Sequence, residues 1–184
     1  MNKQSTTALP RARTVVHPGP SGPVRINHIR ADHGRHFRLS LPAGRTLHEG
    51  LVEALAREAV HSASMTLLGG DLESLSFCMA LPDPSGRVLA TYGAPVPLRG
   101  ARLIFGNATL GRSASNAPLV HCHGAFCEAD GAVRGGHILC DRSVVGRVPV
   151  TVLVTALDSF ELRVAYDEET RMPLMRPEAR AGHV

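Results

Sequence analysis

Residues Pro118 to Cys140 read PLVHCHGAFCEADGAVRGGHILC, and the way this stretch folds back on itself sets the rest of the chain. If its first half is a strand, His121 and His123 point to one face, because strand side chains alternate. Two residues of rise put their β-carbons about 6–7 Å apart, a gap that two imidazoles can close onto one ion. Glu128-Ala129-Asp130-Gly131 is hairpin-turn chemistry, with Gly131 able to take the positive φ of a tight reversal. With a three-residue loop, Ala129 to Gly131, residue 128 faces 132 and His123 falls opposite His137. Three imidazoles then share one face of one hairpin. A slip of one residue would send His137 to the other face, so the expectation hangs on the turn.

The simpler reading is that these are ordinary strand histidines in a chain that has ten. Gly135 and Gly136 weigh against it. Glycine weakens a strand and usually marks a bulge or the close approach of another backbone or ligand, and two of them directly precede His137. Cys127 shares the face of His121 and His123 but lies four residues past His123, roughly 13 Å away at strand rise, too far to share an ion. Cys122 and Cys140 point to the opposite face and, with Cys78, read as small core residues. Three imidazoles would leave zinc, or another divalent metal, one open position, the arrangement of a catalytic rather than a structural site. Such a position can take water, a carboxylate or a carbonyl oxygen. Glu128, Arg134, Asp141 and Arg142 are near in sequence, yet none stands out as a general acid or an anion clamp.

The run His121-Cys122-His123, Asp130-Gly131 and Gly135-Gly136-His137-Ile138 resembles prokaryotic members of the PPC family, the plants and prokaryotes conserved domain. The likeness extends more loosely from about Phe37 to Arg176, through a helix, the Gly69-Gly70-Asp71-Leu72 turn and the Asp167-Glu168-Glu169-Thr170 stretch. Gly124-Ala125-Phe126-Cys127 replaces the family's usual run of small polar and apolar residues after the second histidine. The resemblance implies a homotrimer, a metal-binding His site and a DNA-binding or regulatory role, in line with the DNA-binding label that family members carry. The family's fold is also similar to that of acetolactate decarboxylase, where zinc on three histidines polarises a small oxo acid. The alternative implied is therefore a metal-dependent enzyme acting on a small oxo acid or carbonyl substrate. The Arg-Gly-Arg-Pro AT-hook of the family's plant members is absent.

At 184 residues the chain suits one domain with a real core, built mostly from Val, Leu and Ala since there is no Trp and few aromatics. Four cysteines without regular spacing, and no signal peptide, point to the cytoplasm. Val150 to Leu157, the longest clearly apolar run, is far too short to span a bilayer. Residues 1–50 hold Lys3 and seven arginines against Asp32 and Glu49, a net of +6, and the remaining residues net −2, which together give the overall +4. Arg11, Arg13, Arg25, Arg30, Arg35 and Arg38 are therefore the candidates for contacting DNA phosphates. His17, His28, His33, His36 and His48 fall in the same region without ligand spacing and read as surface residues.

Residues 1–23, rich in Ser, Thr, Pro and Gly, read as a basic flexible arm, 24–171 as the domain and 172–184 as a tail. Strands are expected at Val24 to Ile29, His36 to Leu41, Ser64 to Leu68, Leu75 to Leu81 and Val88 to Tyr92. Others follow at Leu103 to Leu110 (broken by Gly106-Asn107), in the histidine hairpin, at Val148 to Leu157 and at Phe160 to Tyr166. Thr46 and Glu49 form a capping box that starts a helix over about 47–61, with Leu51, Val52, Leu55 and Ala59 facing the core. One helix with about eight or nine strands is an α+β fold around a mostly antiparallel sheet or sandwich.

Overall fold

The computed structural model describes residues 15–23 and 27–180. Its elements in chain order are β1 (His36–Leu41), α1 (Leu47–Arg57), β2 (Ala63–Leu67), β3 (Gly70–Cys78), β4 (Ala80–Pro82), β5 (Ala90–Tyr92), β6 (Val96–Arg112), β7 (Pro118–Glu128), β8 (Val133–Ile138), β9 (Val144–Val145), β10 (Val150–Ala156), β11 (Phe160–Asp167) and β12 (Met172–Ala179). The architecture is α+β, a mostly antiparallel sheet with one helix. The main sheet runs β1-β10-β2-β6-β7-β8-β3-β9, and a further pairing of β3 with β6 closes β6, β7, β8 and β3 on themselves. β11 and β12 form a hairpin beside β6, and β4 and β5 form a separate two-stranded hairpin.

The helix starts where the sequence says it should. The Thr46 side chain accepts the Glu49 N–H and the Glu49 carboxylate accepts the Thr46 N–H, both at 3.1 Å. The backbone carbonyls of Ser143 and Cys140 accept the N–H groups of Leu47 and His48, at 2.8 and 3.0 Å. The segment that follows β8 is thereby tied to the helix N-terminus. Leu47, Leu51 and Leu55 are fully buried and join Leu41, Met65, Val152 and Val154 in one core. That core lies against the face of the sheet that also carries Cys122, Phe126 and Ile138.

The helix ends at Arg57, earlier than the spacing suggests. Val60 N–H reaches back to the Leu55 carbonyl (2.9 Å) and Ala59 N–H to the Ala56 carbonyl (3.0 Å), the two bonds of a Schellman ending. Ala59, expected on the buried face, is exposed at φ 54°, and Val60 is the residue that enters the core. A left-handed alanine costs about 1–2 kcal/mol, whereas glycine loses about 0.5–1 kcal/mol through unfolded-state entropy. Ala59→Gly is therefore expected to stabilise the protein by about 0.5–1 kcal/mol, read as a rise in the urea midpoint. A fall in the midpoint would contradict this ending.

Other expectations are corrected. Residues 172–184 read as a tail, but Met172–Ala179 pairs along its whole length with β11, so the prolines misled. Pro173 and Pro177 are tolerated because β12 is an edge strand that, among the described residues, pairs only with β11. Gly106-Asn107 does not break its strand, since β6 runs unbroken through both. Gly106 is there for packing: a β-carbon would lie 3.3 Å from the His123 carbonyl oxygen and 3.4 Å from Leu67 Cβ. The strand expected at Val24 to Ile29 falls partly outside the described residues, and residues 27–29 are irregular. Of the arm, residues 1–14 lie outside the description. Residues 15–23 run beside the β11–β12 turn, where the Glu169 carbonyl accepts Gly19 N–H at 2.9 Å and the Glu169 carboxylate contacts His17 Nδ1 at 2.7 Å.

Candidate metal centre

The site is built by the β7–β8 hairpin. Glu128 N–H donates to the Ala132 carbonyl (2.8 Å), Ala132 N–H to Asp130 Oδ1 (2.9 Å), and Gly131 takes φ 89°. The ladder that follows pairs Cys127 with Val133, Ala125 with Gly135 and His123 with His137. On the other side β6 sets Asn107 against His123 and Thr109 against His121, so both stand on the face of the imidazoles. β3 completes the row by pairing Cys78 with His137.

The three rings converge. Ring centroids are 4.9 Å apart for His121 and His123, 4.7 Å for His121 and His137, and 5.2 Å for His123 and His137. One ring nitrogen from each can be chosen so that all three lie within 4.8 Å of one another. The two Nε2 atoms of His121 and His123 are 3.0 Å apart. His123 is exposed and His137 half-buried. Among the described residues these imidazoles are the one such donor group, and Cys127 is not part of it.

Glycines allow the strands to approach this closely. A β-carbon on Gly136 would lie 2.8 Å from the Cys78 carbonyl oxygen and 3.0 Å from Phe77 Cδ2. One on Gly135 would lie 3.0 Å from the Gly124 carbonyl oxygen. One on Gly124 would lie 2.9 Å from both Ile138 Cδ1 and the Phe105 carbonyl oxygen. Any side chain there pushes the ladder apart and carries an imidazole with it.

Electrostatics favour neutral rings. Burial, then the charges that His121 and His123 would carry, push His137 down to about 4, and burial followed by His123 lowers His121. Both rings thus offer lone pairs near neutral pH. His137 Nδ1 is buried without a hydrogen-bond partner among the described residues, and leaving a buried polar atom unsatisfied is costly. An all-imidazole donor set with an orphaned ring nitrogen fits a divalent ion of the zinc type.

The lowered value has a consequence for chelator-treated protein. The folded His137 stays neutral down to about 4, whereas an unfolded histidine takes up its proton near an ordinary value of about 6.5. Between those values the unfolded chain binds more protons, so this contribution weakens the fold as the pH falls. The urea midpoint is expected to drop from pH 7 to pH 4.5, and to drop less in His137→Asn. Equal drops in the two proteins would contradict it.

The model of the Plants and Prokaryotes Conserved (PCC) domain matches residues 29–157. The chain belongs to this family. No curated protein matches the sequence. A "putative DNA-binding protein" from Ralstonia eutropha is similar in fold, with a TM-score of 0.61 at 20% identity over 75% of this chain and 88% of that one. A metal-containing protein from Archaeoglobus fulgidus gives 0.63 at 20% identity, over 83% and 99% of the two chains. A plant- and prokaryote-conserved protein from Pyrococcus horikoshii gives 0.62 at 16% identity, also over 83% and 99%.

The other candidate residues of this PCC domain lie apart from the imidazoles. Glu128 and Arg134 pair with each other, and Asp141 sits 3.9 Å from Arg142. Cys122 and Cys140 are buried free thiols in the core and Cys127 is half-buried, whereas Cys78, read from the sequence as a small core residue, is a buried free thiol that pairs with His137 and belongs neither to the core cluster nor to the donor group. Of the arginines, Arg11, Arg13 and Arg25 lie outside the described residues. Arg35 is committed to Asp158 through two 2.8 Å bonds and to the Glu58 carbonyl at 2.9 Å. Arg30 pairs loosely with Asp32 at 3.3 Å, and Arg38 reaches Thr151 Oγ1 at 3.4 Å. His17, His28, His33 and His36 are exposed, whereas His48 is half-buried. The sequence reading missed Tyr92, whose ring lies 4.8 Å from that of His137 at an interplanar angle of 37°. Nothing in its local spacing marks it, since the contact depends on how the β4–β5 hairpin folds over.

Proposed function

We propose that this PCC-domain protein holds one divalent metal ion, zinc or a close substitute, on His121, His123 and His137. We propose further that the ion's open position takes a small oxygen-bearing molecule, a carboxylate or a carbonyl compound. The observation that carries this reading is the convergence of three imidazoles, one with an orphaned buried nitrogen, within 4.8 Å of one another. When bound, the ion would supply Lewis acidity to that ligand. The chain's own part is to fix the rings and to flank them with the Asn107 amide and the Thr109 hydroxyl. This supports a ligand-binding or regulatory module first and a metal-dependent enzyme on a small oxo acid second, because among the described residues no carboxylate joins the imidazole group. The resemblance to PPC proteins supports a cytoplasmic homotrimer. No described helix is long and apolar enough to cross a membrane.

DNA binding is a second reading, supported by the net +6 of residues 1–50 and by the description of the Ralstonia protein. Removing residues 1–50 would not test it, because β1 and the first turn of α1 lie there. Replacing Arg11, Arg13 and Arg25 by Gln does. Binding that falls steeply with salt, disappears in that variant and survives His121→Ala would support this role.

The primary reading is tested by titrating chelator-treated protein with Co²⁺ and then adding pyruvate. One ion per chain is expected, with a visible spectrum that pyruvate shifts. A folded protein that takes up no ion, or a spectrum indifferent to both pyruvate and acetate, would overturn it.

A further inference from the structure

Histidine ligands usually have their second ring nitrogen held by a carboxylate or a carbonyl, which fixes the plane of the ring. His137 lacks this device. Among the described residues neither ring nitrogen makes a hydrogen bond, so whichever of the two meets the ion, the other has no protein group to hold it. Its backbone is anchored by pairing with His123 and Cys78, but pairing does not fix rotation about the side-chain bonds. Outside the cluster, the aromatic ring beside His137 among the described residues is that of Tyr92, at 4.8 Å between centroids.

The placement of Tyr92 is itself held from several sides. It ends β5, opposite Ala80 of β4, and the next residue, Gly93, donates its N–H to the Met79 carbonyl at 2.9 Å. At the far end of the hairpin, Asp83 accepts N–H bonds from Ser85, Arg87 and Val88 at 3.0, 3.0 and 3.1 Å, with the Ser85 hydroxyl at 2.6 Å. The near end leans on the sheet at Gly136, where an added β-carbon would come within 3.2 Å of Met79 Sδ. The β4–β5 hairpin is thus stiffened at its turn and seated on the sheet at its open end, with its aromatic residue laid on one imidazole. Tyr92 is half exposed, so it is not there to fill the core.

We propose that Tyr92 is a positioning residue for the metal centre, its ring holding the His137 imidazole in the plane from which it reaches the ion. The inference rests on the metal reading above. Tyr92 replaces by contact between rings what a hydrogen bond supplies at other histidine ligands. One side of the site then belongs to a hairpin outside β7 and β8, the two strands that carry the ligands.

The test is Co²⁺ binding to wild type, Tyr92→Ala and Tyr92→Phe, followed by affinity and visible absorption, with the urea midpoint as a check on folding. Tyr92→Ala is expected to bind Co²⁺ about 10- to 100-fold more weakly, the range for loss of outer support, with changed band positions. Tyr92→Phe is expected to match wild type. If wild type binds and Tyr92→Ala is indistinguishable from it, the positioning role is overturned and the metal site stands. If Tyr92→Phe is as impaired as Tyr92→Ala, the hydroxyl and not the ring matters, and the role is also overturned. If folded wild type takes up no Co²⁺, the metal reading itself fails and this inference goes with it.

Discussion

His121→Ala is expected to lower zinc affinity by about 100-fold or more, with His123→Ala and His137→Ala close to it. Zinc bound by protein ligands is worth about 10–16 kcal/mol. Shared among four positions, one imidazole accounts for about 3 kcal/mol, and each 1.4 kcal/mol is about tenfold. The three losses should be similar because the rings are nearly equidistant, at 4.7 to 5.2 Å between centroids. Competition against a chromophoric chelator at fixed pH measures this. Cys127→Ala serves as the control, since Cys127 lies on the same face but outside the donor group. A loss in the Cys127 variant, or no loss in any of the histidine variants, would remove the site as drawn. The fold should survive these changes, because the imidazoles stand on the face of the hairpin turned away from the core.

The second large effect falls on that opposite face. Phe126 is fully buried and packs edge-on against Phe77, with centroids 4.9 Å apart and an angle of 64°. It occupies the run Gly124-Ala125-Phe126-Cys127, with its large ring set into the core between the paired Leu103 and Arg134 positions. Phe126→Ala removes the ring's contacts and leaves a cavity, at a cost of about 3–5 kcal/mol. Against a total stability of about 5–15 kcal/mol, that is a large fraction. Urea unfolding of metal-free protein reads it, and a change below about 1 kcal/mol would contradict the packing described. Phe126→Leu, which keeps most of the volume, is expected to lose less.

What could be read from the sequence was local. Gly131 and Asp130 fixed the loop length, and alternation then placed His123 opposite His137, so a cluster built on one hairpin was within reach. Thr46 and Glu49 set the helix start in the same way. The helix end was not legible, because an alanine in the left-handed region carries no signal that a glycine would. β12 was hidden by Pro173 and Pro177, whose tolerance depends on its being an edge strand. Gly106 reads as a breaker until Gly124 and Leu67 are known to lie beside it. The role of Tyr92 was out of reach for a similar reason, since β5 meets His137 only after β3, β4 and β8 have assembled. Long-range pairing, not local preference, decided each of these.

X-ray absorption at the zinc edge of protein loaded with one equivalent tests the central claim most directly. The expected result is a first shell of nitrogen and oxygen alone at about 2.0–2.1 Å, with multiple scattering from three imidazoles that falls to two in His121→Ala. Sulfur at about 2.3 Å, or an imidazole count unchanged in that variant, would contradict it.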